Sequence, residues 1–206
     1  MNVAETQNIF ITPSELIEYL YCPRFIYFMN CLNIPQHEEQ RYKVMKGRQV
    51  HEEKKRLNPD YVRKRLSCVS RDIDVYMSSE RLHIKGKVDE VLRIDDGTLA
   101  PMDYKYAQYR EVSTLGGKRI YKTHKFQSVL YAMLIRETYN KEVKKGYVCY
   151  VRSKNKIEEI VYTLNDFEKA RGMIEEMLSI IQSGYFPGKT SSRIRCIDCC
   201  YRNICV

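Results

Sequence analysis

The chain has 206 residues, with 35 Lys/Arg against 26 Asp/Glu and a formal charge of +9. That length can bury a full hydrophobic core and predicts one domain, while no eighteen-residue apolar run is present to cross a bilayer. The opening stretch MNVAETQNIFITPSEL lacks the regions of a secretion signal, which predicts a cytoplasmic protein whose eight cysteines stay reduced rather than forming a disulfide framework.

In chain order, TPSELIEYLYCPRF predicts a helix with Thr12 as N-cap, Pro13 at the first helical position and Glu15 completing a capping box. Pro23 breaks that helix and leaves Cys22 at the junction. A second, basic helix is predicted over 39–57. It lies within a run, 41–65, that carries ten Lys/Arg against three Asp/Glu. Such a run suits a polyanion through phosphate neutralisation, and also reads as a solvated helix face. Alternation then predicts strands over 72–77, 82–94 and 97–106, with turns at 78–80 and 95–97. Helical spacing returns over 123–139, and 146–153 with 156–164 reads as a hairpin. Phe167, Ala170, Ile174, Met177, Leu178 and Ile181 mark a long amphipathic helix ending at Gly184. The tail from Phe186 is rich in Gly, Ser, Arg and Cys and is expected to pack little of its own. The result is an α/β chain with a helical N-terminal arm and a cysteine-bearing tail.

Two segments at the centre carry chemistry. In GKVDEV and PMDYK, residues two apart on a strand project from one face about 6.6 Å apart, so Asp103 and Lys105 present a carboxylate and an ammonium side by side. Asp89, on the neighbouring strand of the same predicted hairpin, supplies a second carboxylate. Two converging carboxylates bind a hard cation such as Mg²⁺ or Mn²⁺. Such a cation polarises a phosphodiester and acidifies a bound water, and a lysine beside it stabilises charge developing on phosphorus. The plain alternative is surface charge, but Val88 and Leu99 place these residues on a core-like sheet where unpaired charges are costly. His51 on the basic helix is a further metal-ligand candidate. Gln127 and Tyr131, four apart, share one helix face, and a glutamine on that apolar helix is the unexpected residue.

The cysteines concentrate at the end, as Cys196-x2-Cys199-x5-Cys205 with Cys200 alongside. Three thiolates joined by a fourth satisfy a tetrahedral zinc site or an iron–sulfur cluster, and spacing does not choose between them. Cys149 in GYVCYV and Cys31 read as core residues, and Cys68 gives no signal. Cys22, at its helix junction, stands apart.

GKVDEV, DYK and QSVLY, following His51 in that order, resemble the PD-(D/E)xK nucleases of the RecB type. The resemblance implies a restriction-endonuclease-like fold with a mixed central sheet flanked by helices. It implies His51, Asp89 and Asp103 as metal ligands together with the backbone carbonyl of Tyr104, Lys105 as the catalytic lysine, and Gln127 and Tyr131 as positioning residues near the lysine and DNA. The second acid is Asp103 where many relatives carry Glu. One cysteine in YLYCPRF before this core and C-x2-C-x5-C after it are similar to the iron–sulfur nucleases related to AddB. That likeness implies a 4Fe–4S cluster on Cys22, Cys196, Cys199 and Cys205, joining the N-terminal arm to the tail.

From about Thr12 to Cys205 the chain resembles the fourth CRISPR-associated protein family, the iron–sulfur exonucleases of spacer acquisition. This implies a single nuclease domain over 1–206, divided into an arm (12–60), a core (67–165) and a C-terminal helix with cluster-binding tail (166–206). It implies a Mg²⁺- or Mn²⁺-dependent exonuclease acting 5′ to 3′ on single-stranded DNA, with endonuclease activity in some members. It also implies prespacer processing beside the CRISPR integrase. The alternatives are a related nuclease of DNA repair or a mobile element, a non-catalytic nucleic-acid-binding module with a structural metal, and a redox-sensing DNA-binding protein.

Overall fold

The computed structural model describes residues 9–36, 45–46, 49, 64–109 and 120–205. The predicted basic helix falls almost wholly outside these residues, and so does His51. Five helices are described: α1 (Pro13–Tyr21), α2 (Arg24–Ile26), α3 (Lys122–Tyr139), α4 (Leu164–Ser183) and α5 (Arg193–Ile197). Five strands, β1 (Cys68–Ser79), β2 (Ile84–Ile94), β3 (Leu99–Lys105), β4 (Lys145–Tyr150) and β5 (Lys156–Val161), form one mixed sheet in sequential order. Among the described strand pairs β3–β4 alone is parallel, and α3 provides the crossover that a parallel pair requires.

Local chemistry sets the element ends. Thr12 and Glu15 form the expected capping box on α1, and Thr163 with Asp166 forms a second one that starts α4 three residues ahead of the first predicted apolar position. Cys22 ends α1 in an extended conformation (φ −162°, ψ 126°). After Pro23, α2 runs directly into a π-helical turn over Tyr27–Cys31. Gly184 closes α4 at φ 65°, the left-handed position that glycine adopts without strain. The expected strand over 146–153 is shorter, because Val151–Ser153 coils into a 3-10 turn before β5.

One face of the sheet carries the main core. α3 lies across β1 to β4 and is flanked by α1 and α4. Every residue from Phe126 to Ile135 is therefore buried, and the helix has no wet side over that stretch. Fully burying each large apolar side chain contributes roughly 1.5–3 kcal/mol, which makes α3 the keystone of this layer. A smaller cluster on the opposite face gathers Leu92, Ile94, Ala100, Met102, Tyr104, Tyr147 and Cys149.

The tail packs more than its composition predicts. Tyr201 is buried among Phe25 and Phe28 and donates to the Ile34 carbonyl at 2.8 Å. Arg195 donates to the Leu20 and Tyr21 carbonyls, both at 2.9 Å, satisfying the open end of α1. Aromatic faces and one guanidinium do what an apolar run would otherwise do.

Gly146 marks a tight crossing between β4 and the helical layer. A Cβ there runs into the Tyr162 hydroxyl and lies 2.7 Å from Ser128 Oγ, two groups already bonded to each other at 2.6 Å. Gly146→Ala is expected to lower unfolding stability by about 1–3 kcal/mol by urea titration, with part of the loss recovered in a Tyr162→Phe background.

Candidate active site and cysteine cavity

The β2–β3 ladder ends at Glu90 and Met102. Beyond that pair β3 keeps its bonds to β4 as far as Lys105 opposite Tyr150, but loses β2. The Tyr104 amide, just beyond the end of that ladder, donates to Asp89 Oδ2 at 2.8 Å. A carboxylate thus replaces a strand at the point where the sheet opens.

β2 is distorted at the same place. Val88 and Val91 both enter the main core, so the two-residue alternation slips between them. Asp74, in the segment of β1 facing the slip, sits at φ 62°. Glu90 turns to the opposite face, where its Oε1 accepts from Arg71 at 2.5 Å and from the Tyr104 hydroxyl at 2.6 Å. Tyr104 is therefore tied to β2 twice, by its amide above the sheet and by its ring below. A buried ion pair made without such extra hydrogen bonds fails to offset the desolvation of its charges.

Asp103 and Lys105 both face α3, as their spacing predicts. Lys105 Nζ lies 2.7 Å from Asp103 Oδ2, an ion-pair contact off the hydrogen-bonding axis, with both side chains largely buried. Gln127 and Tyr131 project from α3 onto this cluster. Burial, and then the Asp103 and Asp89 carboxylates, push the Tyr131 phenol well above its ordinary value, so it stays protonated and can only donate toward them. Gln127 Nε2 reaches the Tyr131 hydroxyl at 3.5 Å. Its Oε1 is buried with no partner among the described residues. A buried amide oxygen left open costs free energy unless a ligand or water meets it. Two carboxylates with an open acceptor beside them are hard oxygen donors, and they suit a divalent cation. The structure thus brings together Asp89, Asp103, Lys105, Gln127 and Tyr131. Tyr104 reaches the cluster through its amide.

His124 is a neighbour that spacing alone did not single out. It lies one turn before Gln127 on α3, and its Nδ1 is 3.1 Å from the Tyr150 hydroxyl. The signal was present as H-x2-Q-x3-Y, a single helical stripe.

Four cysteines meet elsewhere, around a cavity of about 270 Å³ between α1, α2 and the tail. Cys22, Cys196, Cys199 and Cys205 all line it, with Arg24, Arg195 and Arg202. Arg24 donates to Cys205 Sγ at 3.1 Å, and the Thr190 amide to Cys22 Sγ at 3.4 Å. Burial, and then the thiols of Cys205, Cys22 and Cys196, push the Cys199 thiol up, against an opposing hydrogen bond from the Tyr201 amide. Four sulfurs facing one space, one bonded by the Arg24 guanidinium and one by the Thr190 amide, are soft donors of the kind that suit a thiophilic metal. The other four cysteines lie apart. Cys31 packs against the main core, Cys68 and Cys149 belong to the smaller cluster, and Cys200 is exposed and does not line the cavity. Among the described residues, no three His, Cys, Asp or Glu side chains are grouped so as to hold one ion.

Residues 53–206 match the family described as the PD-(D/E)XK nuclease superfamily. Over its full length the chain is 27% identical to the CRISPR-associated exonuclease Cas4 of Francisella tularensis subsp. novicida, covering 98% of that protein. Over 91% of its length it is 26% identical to a CRISPR-associated exonuclease Cas4/endonuclease Cas1 fusion of Leptospira interrogans, of which it spans 32%. Among solved structures it shares a fold with SSO0001. That match has a TM-score of 0.59 at 16% identity, covering 98% of this chain and 87% of that one. No described helix is long and apolar enough to cross a membrane.

Burial, and then the Lys105 ammonium, hold the His124 imidazole down at about 3 from its ordinary 6.5. Below pH 6.5 the unfolded chain therefore takes up a proton that the folded chain refuses, so stability falls as pH drops from 6.5 toward 3. The urea midpoint of the wild type is expected to fall more steeply than that of His124→Phe over this range. Parallel curves would show that the imidazole does not carry this dependence.

Proposed function

Because the chain belongs to the PD-(D/E)XK nuclease superfamily, whose members use divalent metals, we propose that it is a metal-dependent exonuclease acting on single-stranded DNA, 5′ to 3′, as a prespacer-processing enzyme of CRISPR adaptation. The observation that carries the reading is the meeting of Asp89, Asp103 and Lys105 where β2 leaves β3, under Gln127 and Tyr131. The full-length similarity to a Cas4 exonuclease supports the pathway, and the Cas4/Cas1 fusion supports an integrase as partner. Arm, core and tail are taken as parts of one nuclease domain.

Asp89 and Asp103 would hold the cation, with His51 as a further ligand and the Tyr104 carbonyl as the main-chain one. When bound, the metal supplies charge neutralisation at the phosphodiester and a more acidic water. Lys105, tethered by Asp103, orients the attacking water and stabilises the charge that develops on phosphorus. The Tyr131 hydroxyl, held protonated, donates toward the carboxylates and keeps their oxygens aligned. Gln127 Oε1 accepts from the water or from the lysine. Tyr106 and Tyr109, on the strand exit after Lys105, pair with Arg152 at 5.6 Å and Lys156 at 3.3 Å from their ring centroids. Such aromatic–cation surfaces suit unstacked bases and backbone phosphates of a single strand.

Cys22, Cys196, Cys199 and Cys205 would hold a 4Fe–4S cluster, whose chemistry here is ligation. Ligation by residues from both arm and tail would turn metal binding into folding free energy. A cavity walled by four thiols, with an Arg24 N–H on one sulfur, supports a cluster over a single zinc ion.

Anaerobically purified protein is expected to contain iron and sulfide in equal amounts, about four of each per chain. Cys196→Ala is expected to lose both and to melt at a lower temperature. Zinc without sulfide would overturn the cluster assignment. Lys105→Ala is expected to cut Mn²⁺-dependent digestion of a labelled single strand by about 100-fold or more while leaving the fold intact. Undiminished digestion would refute the catalytic assignment, and equal cleavage of blunt duplex would refute the single-strand preference.

A further inference from the structure

His124 lies three and seven residues before Gln127 and Tyr131 on α3, so the three form one stripe facing the sheet. The nuclease reading assigns it nothing. Beneath it, Lys105 and Tyr150 are register partners across the parallel β3–β4 ladder. Tyr150 is fully buried, its hydroxyl bonds His124 Nδ1 at 3.1 Å, and the two rings stand 5.6 Å apart. Tyr121 packs edge-on against the imidazole at 5.1 Å. One hydrogen bond and two rings thus fix this histidine beside a lysine whose other neighbour is the Asp103 carboxylate.

We propose that His124 is a positioning residue for Lys105: held by the Tyr150 hydroxyl, its imidazole closes the space beyond the lysine and turns the ammonium back toward Asp103 and the scissile phosphate. The inference rests on Lys105 being the catalytic lysine. A lysine stem has four rotatable carbons and no planar fork to restrict it, so its aim must come from its surroundings. Misplacement by an ångström costs on the order of a hundredfold in rate. The imidazole suits the task because it is neutral there and does not repel the ammonium. A leucine of similar volume fills the space but has no bond to the Tyr150 hydroxyl, so its orientation is not fixed.

The test compares steady-state digestion of a labelled single-stranded oligonucleotide with Mn²⁺ by the full chain and by Lys105→Ala, His124→Leu, His124→Asn and Tyr150→Phe, alongside melting curves. His124→Leu is expected to melt somewhat lower, because the buried Tyr150 hydroxyl loses its partner, but to fold and keep its KM while kcat falls about ten- to hundredfold. His124→Asn, whose amide reaches the Tyr150 hydroxyl as Nδ1 does, is expected to recover most of that loss. Tyr150→Phe, which deletes only the anchoring hydroxyl, should lower kcat in the same direction and so serves if His124→Leu fails to fold. A wild-type kcat in folded His124→Leu or Tyr150→Phe overturns the proposal, as does a change confined to KM or a folded His124→Asn no better than His124→Leu. Lys105→Ala separates the two levels. If it digests normally, the catalytic reading falls; if it is inactive while the His124 variants are unimpaired, only the positioning role falls.

Discussion

The bond from the Tyr104 amide to the Asp89 carboxylate is the constraint on which the rest of the site depends. A β-sheet satisfies its main-chain donors by pairing strands, and an amide released from its ladder must find another acceptor. Here β2 pairs with β3 only from Glu90 onward, and the acceptor is the carboxylate of Asp89, the residue just before that ladder begins. The notch in the sheet and the placement of the acid are one event. The Arg71–Glu90–Tyr104 set on the opposite face holds the parted strands in register, so the opening does not propagate along the ladder.

The second determinant is a helix buried on every side over ten residues. α3 is enclosed by the sheet, α1 and α4, so each polar group on it must be met or cost stability. Ser128 meets Tyr162, and Tyr131 meets the field of two carboxylates. Gln127 keeps an oxygen unmet among the described residues. The open acceptor of this stretch is thus the one that borders the strand opening.

Much of this was legible in the sequence because it depends on short spacings. The capping box of Thr12 and Glu15, the turn at 95–97 and the shared face of Asp103 and Lys105 follow from residues two to four apart. The mixed sheet under a helical layer followed from the order of those elements together with the nuclease motif. What could not be read depends on approach across the fold. The slip between Val88 and Val91 shows in the sequence only as the polar pair Asp89–Glu90, which does not tell which carboxylate goes to which face. The Arg71–Glu90 pair and the Arg24–Cys205 contact join residues whose sequence distance gives no hint of proximity. His124 carried its signal in the spacing H-x2-Q-x3-Y, but a histidine counts there only once Tyr150 is seen beneath it. The tail was misjudged because its packing runs through Tyr201 and arginine stems rather than aliphatic periodicity.

The cysteine cavity imposes an order of events on biosynthesis. Its walls come from residues near both ends of the chain, Cys22 on one side and Lys189 to Cys205 on the other. During translation at about 5–20 residues per second, Cys22 is made roughly ten to forty seconds before Cys205. Until the tail is made its thiol and the aromatic ring of Phe25 lack that wall, whereas the sheet, α3 and α4 are complete in sequence once Ser183 has been added. The nuclease core is thus free to form first, and the junction of the two ends is a terminal step. A chain interrupted before Tyr201 would lack the ring that packs on Phe25 and Phe28 and would leave Cys22 without that wall of its cavity.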